Sequence, residues 1–225
     1  MSHFILIVPV LLFSFVAHEY AHVWAALKQG DDTGYMLGRL TLNPLPHLDP
    51  FMSIIVPIGL YVMTNGAFTF GGPKPAPVTP RNFRNYRRGD LIVSSAGVVM
   101  NLILALVCAG VFVLIGFVGA EVGALRGLMG TLQTMVSFGV WFNVLLAFFN
   151  LIPIPPLDGS RLLYHALPPA WGARYQQLGG FGFMLLMATF FVPGFWNVLL
   201  WPVGMVTTTV QSAIGAYSLP IVPWP

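Results

Sequence analysis

The chain has 225 residues, of which 56% are hydrophobic and only 8% charged, with mean hydropathy +0.79 and a formal net charge of +3. Water-soluble domains carry about 25% charged residues, so this composition excludes a soluble globular protein and implies an all-α polytopic membrane protein. The small net charge gives no reason to expect nucleic-acid binding. The single cysteine, Cys108, rules out an internal disulfide and argues against a thiolate-bound metal. The length suits one membrane-embedded domain over residues 1–225, with about four to six spanning helices.

The first spanning candidate is Phe4–Leu27, almost wholly apolar except for the pentad His18-Glu19-Tyr20-Ala21-His22. Ionisable side chains at bilayer depth cost a few kcal/mol or more, which marks them as functional. On a helix, His18 and His22 share a face at about 5–6 Å between Cβ atoms, close enough to ligate one metal ion. Glu19 flanks that face and can act on water at the metal without taking a ligand position. The run has no basic leader, so it does not read as a signal peptide.

Next come a loop carrying Lys28, Arg39, His47 and Asp49, and a short apolar stretch at 51–70 interrupted by Pro57 and Gly59. Apolar runs of this length are more often re-entrant or interfacial than spanning. Charge favours re-entry. If 51–70 crosses once, Lys28, Arg39 and Arg126 oppose Lys74, Arg81, Arg84, Arg87, Arg88, Arg161 and Arg174, three against seven. If it dips in and returns, nine cationic residues share one side and only Arg126 lies opposite, which satisfies the positive-inside rule far better. The N-terminus is then outside, and the pentad approaches the cytoplasmic side. Residues 67–79 alternate loosely and suit a short β-hairpin or exposed edge to which an extended peptide could add. The cluster Arg81–Arg88 reads as an anchor at the anionic cytoplasmic lipid surface.

Two further strong spans follow, Leu91–Gly119 and Thr131–Leu151. Asn143 shares a helical face with Asn150 and reads as a packing residue. The third strong span ends in Asn150-Leu-Ile-Pro-Ile-Pro-Pro-Leu-Asp158-Gly159. Pro153, Pro155 and Pro156 cannot continue a helix, so the segment is irregular backbone. In a bilayer such backbone survives only beside protein or a polar cavity. Its one carboxylate is Asp158. A last apolar stretch at Phe181–Val203 is broken by Pro193-Gly194, and Val206–Tyr217 is at most amphipathic.

Catalytic zinc takes three protein ligands and keeps one open position. His18, His22 and Asp158 supply that set, and the re-entrant topology brings both ends to the same face. Together with Ala96-Gly97-Val-Val-Met-Asn101, the pentad and the Asn150–Gly159 segment resemble the site-2 protease family of intramembrane zinc metalloproteases. Gly38-Arg-Leu-Thr-Leu-Asn-Pro44, His47-Leu-Asp-Pro50 and Lys74-Pro-Ala-Pro-Val-Thr-Pro-Arg-Asn-Phe83 resemble its small prokaryotic branch lacking a PDZ domain. The sequence departs from that family at Val98, where proline usually follows the Ala-Gly pair. The resemblance implies that Asn101, Asn150 or both bind the substrate backbone or oxyanion. His47, with Asp49 in a proline-rich loop, reads either as part of a capped turn or as a gate or accessory metal contact beside the site.

The expected activity is zinc-dependent hydrolysis of peptide bonds in or near transmembrane segments of membrane-protein substrates, in a prokaryotic cell membrane. Zinc is the cofactor, one ion per site, and the lipid bilayer and a transmembrane substrate are the partners. The alternative is a membrane metal-ion transporter using the same His/Glu/Asp cluster. Transporters commonly show paired broken helices in repeats, and the chain shows no such symmetry.

Overall fold

A computed structural model describes residues 2–65 and 71–219, with side chains from residue 7 onward. The helices are α1 (Ser2–Gln29), α2 (Thr33–Met36), α3 (Val56–Met63), α4 (Tyr86–Glu121), α5 (Arg126–Asn150), α6 (Asp158–Ala166), α7 (Pro169–Gln177), α8 (Gly182–Ala188) and α9 (Phe195–Ile214). No strand occurs among the described residues. Among the described residues, four stretches are long and apolar enough to cross a membrane: Ile7–Gln29, Tyr86–Glu121, Gly123–Asn150 and Phe195–Tyr217.

The chain divides into two compact units, one comprising Met1–Ser14 and Val98–Pro225, the other Phe15–Gly97. In the Phe15–Gly97 unit, α1 ends where the Gly30 and Asp31 amides turn back onto the Leu27 and Ala26 carbonyls, a pair of hydrogen bonds that caps the helix. Its core is Ala25, Ala26, Phe83 and Val93, with Val78 and Ala96 packed against it. Asp49 opens the short apolar segment by accepting hydrogen bonds from the Phe51 and Met52 amides, after which a π-helical turn, Pro50–Ile55, runs into α3. This run, Pro50–Met63, falls below spanning length. Residues 71–79 have no regular secondary structure and form no strand; the start of the expected hairpin, 67–70, lies outside the described residues.

In the other unit, Ala105, Val144 and Val203 form a core between α4, α5 and α9, with Trp141, Leu145, Phe148 and Val206 around it. A small residue on α4 lets the helices approach closely, as bilayer packing favours. Much of α4 and α9 faces outward with apolar side chains such as Leu106, Leu114, Phe117, Val198 and Trp201. Contiguous exposed apolar surface of this kind requires a nonaqueous solvent. At about 1.5 Å per residue, the 36 residues of α4 measure about 54 Å, longer than a hydrocarbon core of about 30 Å. The helix begins at Tyr86, before the expected Leu91, and carries its basic first turns beyond the apolar part.

The last span is displaced from the expected Phe181–Val203. Pro193-Gly194 does break the run, leaving the seven-residue α8 before it, and the long helix is Phe195–Ile214. Gln133 explains how the tail is held despite its weak apolar pattern. This buried side chain donates to the Phe112 and Tyr217 carbonyls and accepts from the Leu219 amide.

Candidate metal centre

His18, Glu19 and His22 are all buried on α1. The helical spacing puts the two imidazoles edge to face, 4.7 Å between centroids, with their Nε2 atoms 3.0 Å apart. His22 Nδ1 donates to the Val93 carbonyl at 2.8 Å. That bond places the ring proton on Nδ1 and turns the Nε2 lone pair towards His18, the tautomer a metal ligand needs.

The space before both nitrogens is kept clear by Gly97. A Cβ there would lie 2.5 Å from His22 Nε2 and would collide with His18 Cε1. Real side chains do not pack so closely, so α4 can run past the histidines only with glycine at this position. Two converging imidazole nitrogens, a fixed tautomer and a cleared approach suit a divalent cation such as zinc, which binds neutral imidazole at about 2.0–2.1 Å.

Glu19 is held by a backbone amide from a distant segment. Its Oε2 accepts the Ala76 amide at 2.5 Å. The segment that supplies this amide is held along its length. Gly72 bonds to Met52 and Ser53, and the Lys74 amide donates to the His47 carbonyl at 2.7 Å. Buried Arg39 donates to the carbonyls of Pro46, Lys74 and Pro75. Burial disfavours the Arg39 charge, and the Glu19 carboxylate partly restores it. Asp31, fully buried, pins the far end through Thr33, the Thr79 amide and Asn82. Burial would raise its pKa, but these hydrogen bonds together hold its carboxyl below the ordinary range.

His47 is 1% exposed, and its Nε2 donates to the Thr41 carbonyl, so its role in this structure is to fix the loop that receives Lys74. Residue types alone did not reveal Arg39, Gly97 and Ala76 as parts of this arrangement. The available signals were an arginine set apart from the basic cluster at 81–88 and a Pro-Ala-Pro run, which favours extended backbone.

In the other unit, Asp158 is the first residue of α6, directly after the proline-rich turn. The turn is compact. A Cβ on Gly159 would collide with the Leu151 carbonyl, and the Tyr175 hydroxyl ties down the Pro153 carbonyl. Asn101 is fully buried and donates to Asn143 Oδ1, while Asn143 Nδ2 reaches Ser14 and the Gly139 carbonyl. Asn143 is therefore the centre of a polar cluster joining α1, α4 and α5. Asn150 is half-buried and donates to the Leu146 carbonyl of its own helix.

Apolar spans and a buried histidine pair flanking the buried Glu19 in sequence fit a membrane metallopeptidase, and the comparisons with known proteins agree. The family model of Peptidase family M50 matches residues 6–190. The chain belongs to that family, the site-2 proteases, and is a membrane zinc metalloprotease. It is 38% identical over 196 residues to "Putative zinc metalloprotease YwhC" of Bacillus subtilis, covering 87% of this chain and 84% of that protein. It is 28% identical over 202 residues to "Putative zinc metalloprotease Rip2" of Mycolicibacterium smegmatis, covering 88% and 73%. The protein of that name from Mycobacterium tuberculosis strain H37Rv is also 28% identical, over 206 residues. No solved structure matches the chain significantly.

Proposed function

We propose that this protease cleaves membrane-protein substrates within or beside their transmembrane segments, using His18, His22 and Asp158 as zinc ligands and Glu19 as the general base. The observation that carries the reading is the buried pair of imidazole nitrogens, 3.0 Å apart inside the candidate span Ile7–Gln29, with a buried glutamate next to it in sequence. Such groups have no structural use at bilayer depth that an apolar residue would not serve at lower cost. Asp158 follows as the third ligand from donor chemistry. It is the carboxylate of the proline-rich segment, and a set of two imidazoles and one carboxylate leaves one position open for water or substrate. Both compact units then belong to one metalloprotease domain.

When bound, zinc supplies a Lewis acid and lowers the pKa of water to about 7. Glu19 takes the proton of the attacking water and returns it to the amine of the departing peptide. His22, held by Val93, keeps its Nε2 available throughout. Asn150 is the better-placed amide for substrate, because its Oδ1 is uncommitted, whereas Asn101 would have to exchange its bond to Asn143. The segment 51–70 is re-entrant and the catalytic face is cytoplasmic, because this arrangement gathers nine of the ten cationic residues on one side.

The test is purification with zinc analysis and incubation with single-span substrates. Glu19→Gln should keep zinc and lose cleavage by at least about 100-fold, the scale of general-base catalysis. His22→Ala should lose both. Full activity of Glu19→Gln would overturn the assignment.

A further inference from the structure

Arg39 and Glu19 are buried and of opposite charge, yet they form no direct ion pair. They meet through a single peptide group. Arg39 Nη2 donates to the Pro75 carbonyl at 3.1 Å, and the Ala76 N–H of that same peptide unit donates to Glu19 Oε2 at 2.5 Å. In a trans peptide the C=O and N–H point in opposite directions, so one plane can carry a cation at its oxygen and an anion at its hydrogen. Both ends of the peptide dipole are then favourably placed, and each bond polarises the other.

We propose that Arg39 is a positioning residue for the reaction, orienting the Glu19 carboxylate through the Pro75–Ala76 peptide. The inference rests on Glu19 being the general base. The local sequence supports the geometry. Pro75 lacks an N–H and locks its own φ, and Pro77 keeps Ala76 extended, so the Ala76 amide is the donor this stretch presents at that point. The other Arg39 bonds, to the carbonyls of Pro46 and Lys74, tie the preceding peptide to the loop before Asp49. Arg39 thus fixes two segments while its charge acts on a third. Lysine could supply the charge but not the fork that serves three carbonyls.

The test uses full-length protein reconstituted with a cleavable single-span substrate, together with hydrogen exchange on the zinc-free protein. Arg39→Gln should keep the wild-type zinc content and a KM within about twofold, while kcat falls by about 10- to 100-fold. Arg39→Lys should recover part of the loss. Ala76→Pro removes the N–H with Arg39 untouched and should reproduce the fall in kcat, which keeps the proposal falsifiable if Arg39→Gln does not fold. In exchange measurements, residues 74–79 should lose protection in both Arg39→Gln and Glu19→Ala. An unchanged kcat in Arg39→Gln or Ala76→Pro, or a loss expressed only in KM, would overturn the proposal. So would protection of 74–79 that is indifferent to Glu19. If the wild type cleaves no substrate, the protease reading fails, and the exchange data still decide whether Arg39 and Glu19 are linked through this peptide.

Discussion

Gly97 shows how strongly one atom can matter at this site. Its hydrogen faces both imidazoles, and a methyl group there would collide with ring atoms of His18 and His22. Gly97→Ala must therefore displace a ring or the helix, and either movement disturbs the converging nitrogens. Disturbing the support of metal ligands typically costs about 10- to 100-fold in affinity. A chelator competition should show a loss of that size, with helical content by circular dichroism unchanged. The pentad itself was legible from residue types, since two histidines and a glutamate in an apolar run are too costly to be incidental. Gly97 was not, because a glycine in a membrane helix is ordinary until its neighbour across the packing is known.

At the scale of elements, polar clusters hold the helices and loops in register. Asn143 bonds to Ser14 on α1 and Asn101 on α4, so Asn143→Leu should destabilise the protein by about 1–2 kcal/mol, measured by thermal or steric-trap unfolding in detergent. Asp31 does the corresponding work for the end of α1 and the 79–82 turn. Its carboxyl is depressed below the ordinary value. Its contribution is therefore fully present above the unfolded pKa of about 3.9, and is lost as pH falls from there through the lower folded pKa. Asp31→Asn should cost about 1–3 kcal/mol at pH 7. The gap from wild type, both zinc-free, should close below about pH 4; a gap independent of pH would show that the charge contributes nothing.

For the whole molecule, the testable quantity is topology. Lys28 and Arg84 are exposed and lie on either side of the 51–70 segment. With Cys108 replaced by alanine, Lys28→Cys and Arg84→Cys should both react with an impermeant thiol reagent only from the cytoplasm. Labelling of the two from opposite faces would refute the re-entrant arrangement of 51–70. The membrane solvent followed from composition, and the helical class from apolar runs of about 20 residues or more, since backbone groups in lipid have to be satisfied within helices or closed barrels and barrel strands are shorter and alternate. The placement of the last span did not follow. Hydropathy spreads evenly across Pro193-Gly194, and only the packing of Val203 against Ala105 and Val144 assigns the long helix to the downstream side.

The sequence by itself determined that this is a membrane protein with an ionisable pentad in its first span, which stands out because burying charge in a bilayer is expensive. It also identified Asp158 as the carboxylate of an unwound segment. Tertiary structure alone decided what surrounds the pentad. Glu19 meets an amide 57 residues away, and His22 a carbonyl 71 residues away. Every peptide offers the same N–H and C=O, so no residue type announces which of them a side chain will find.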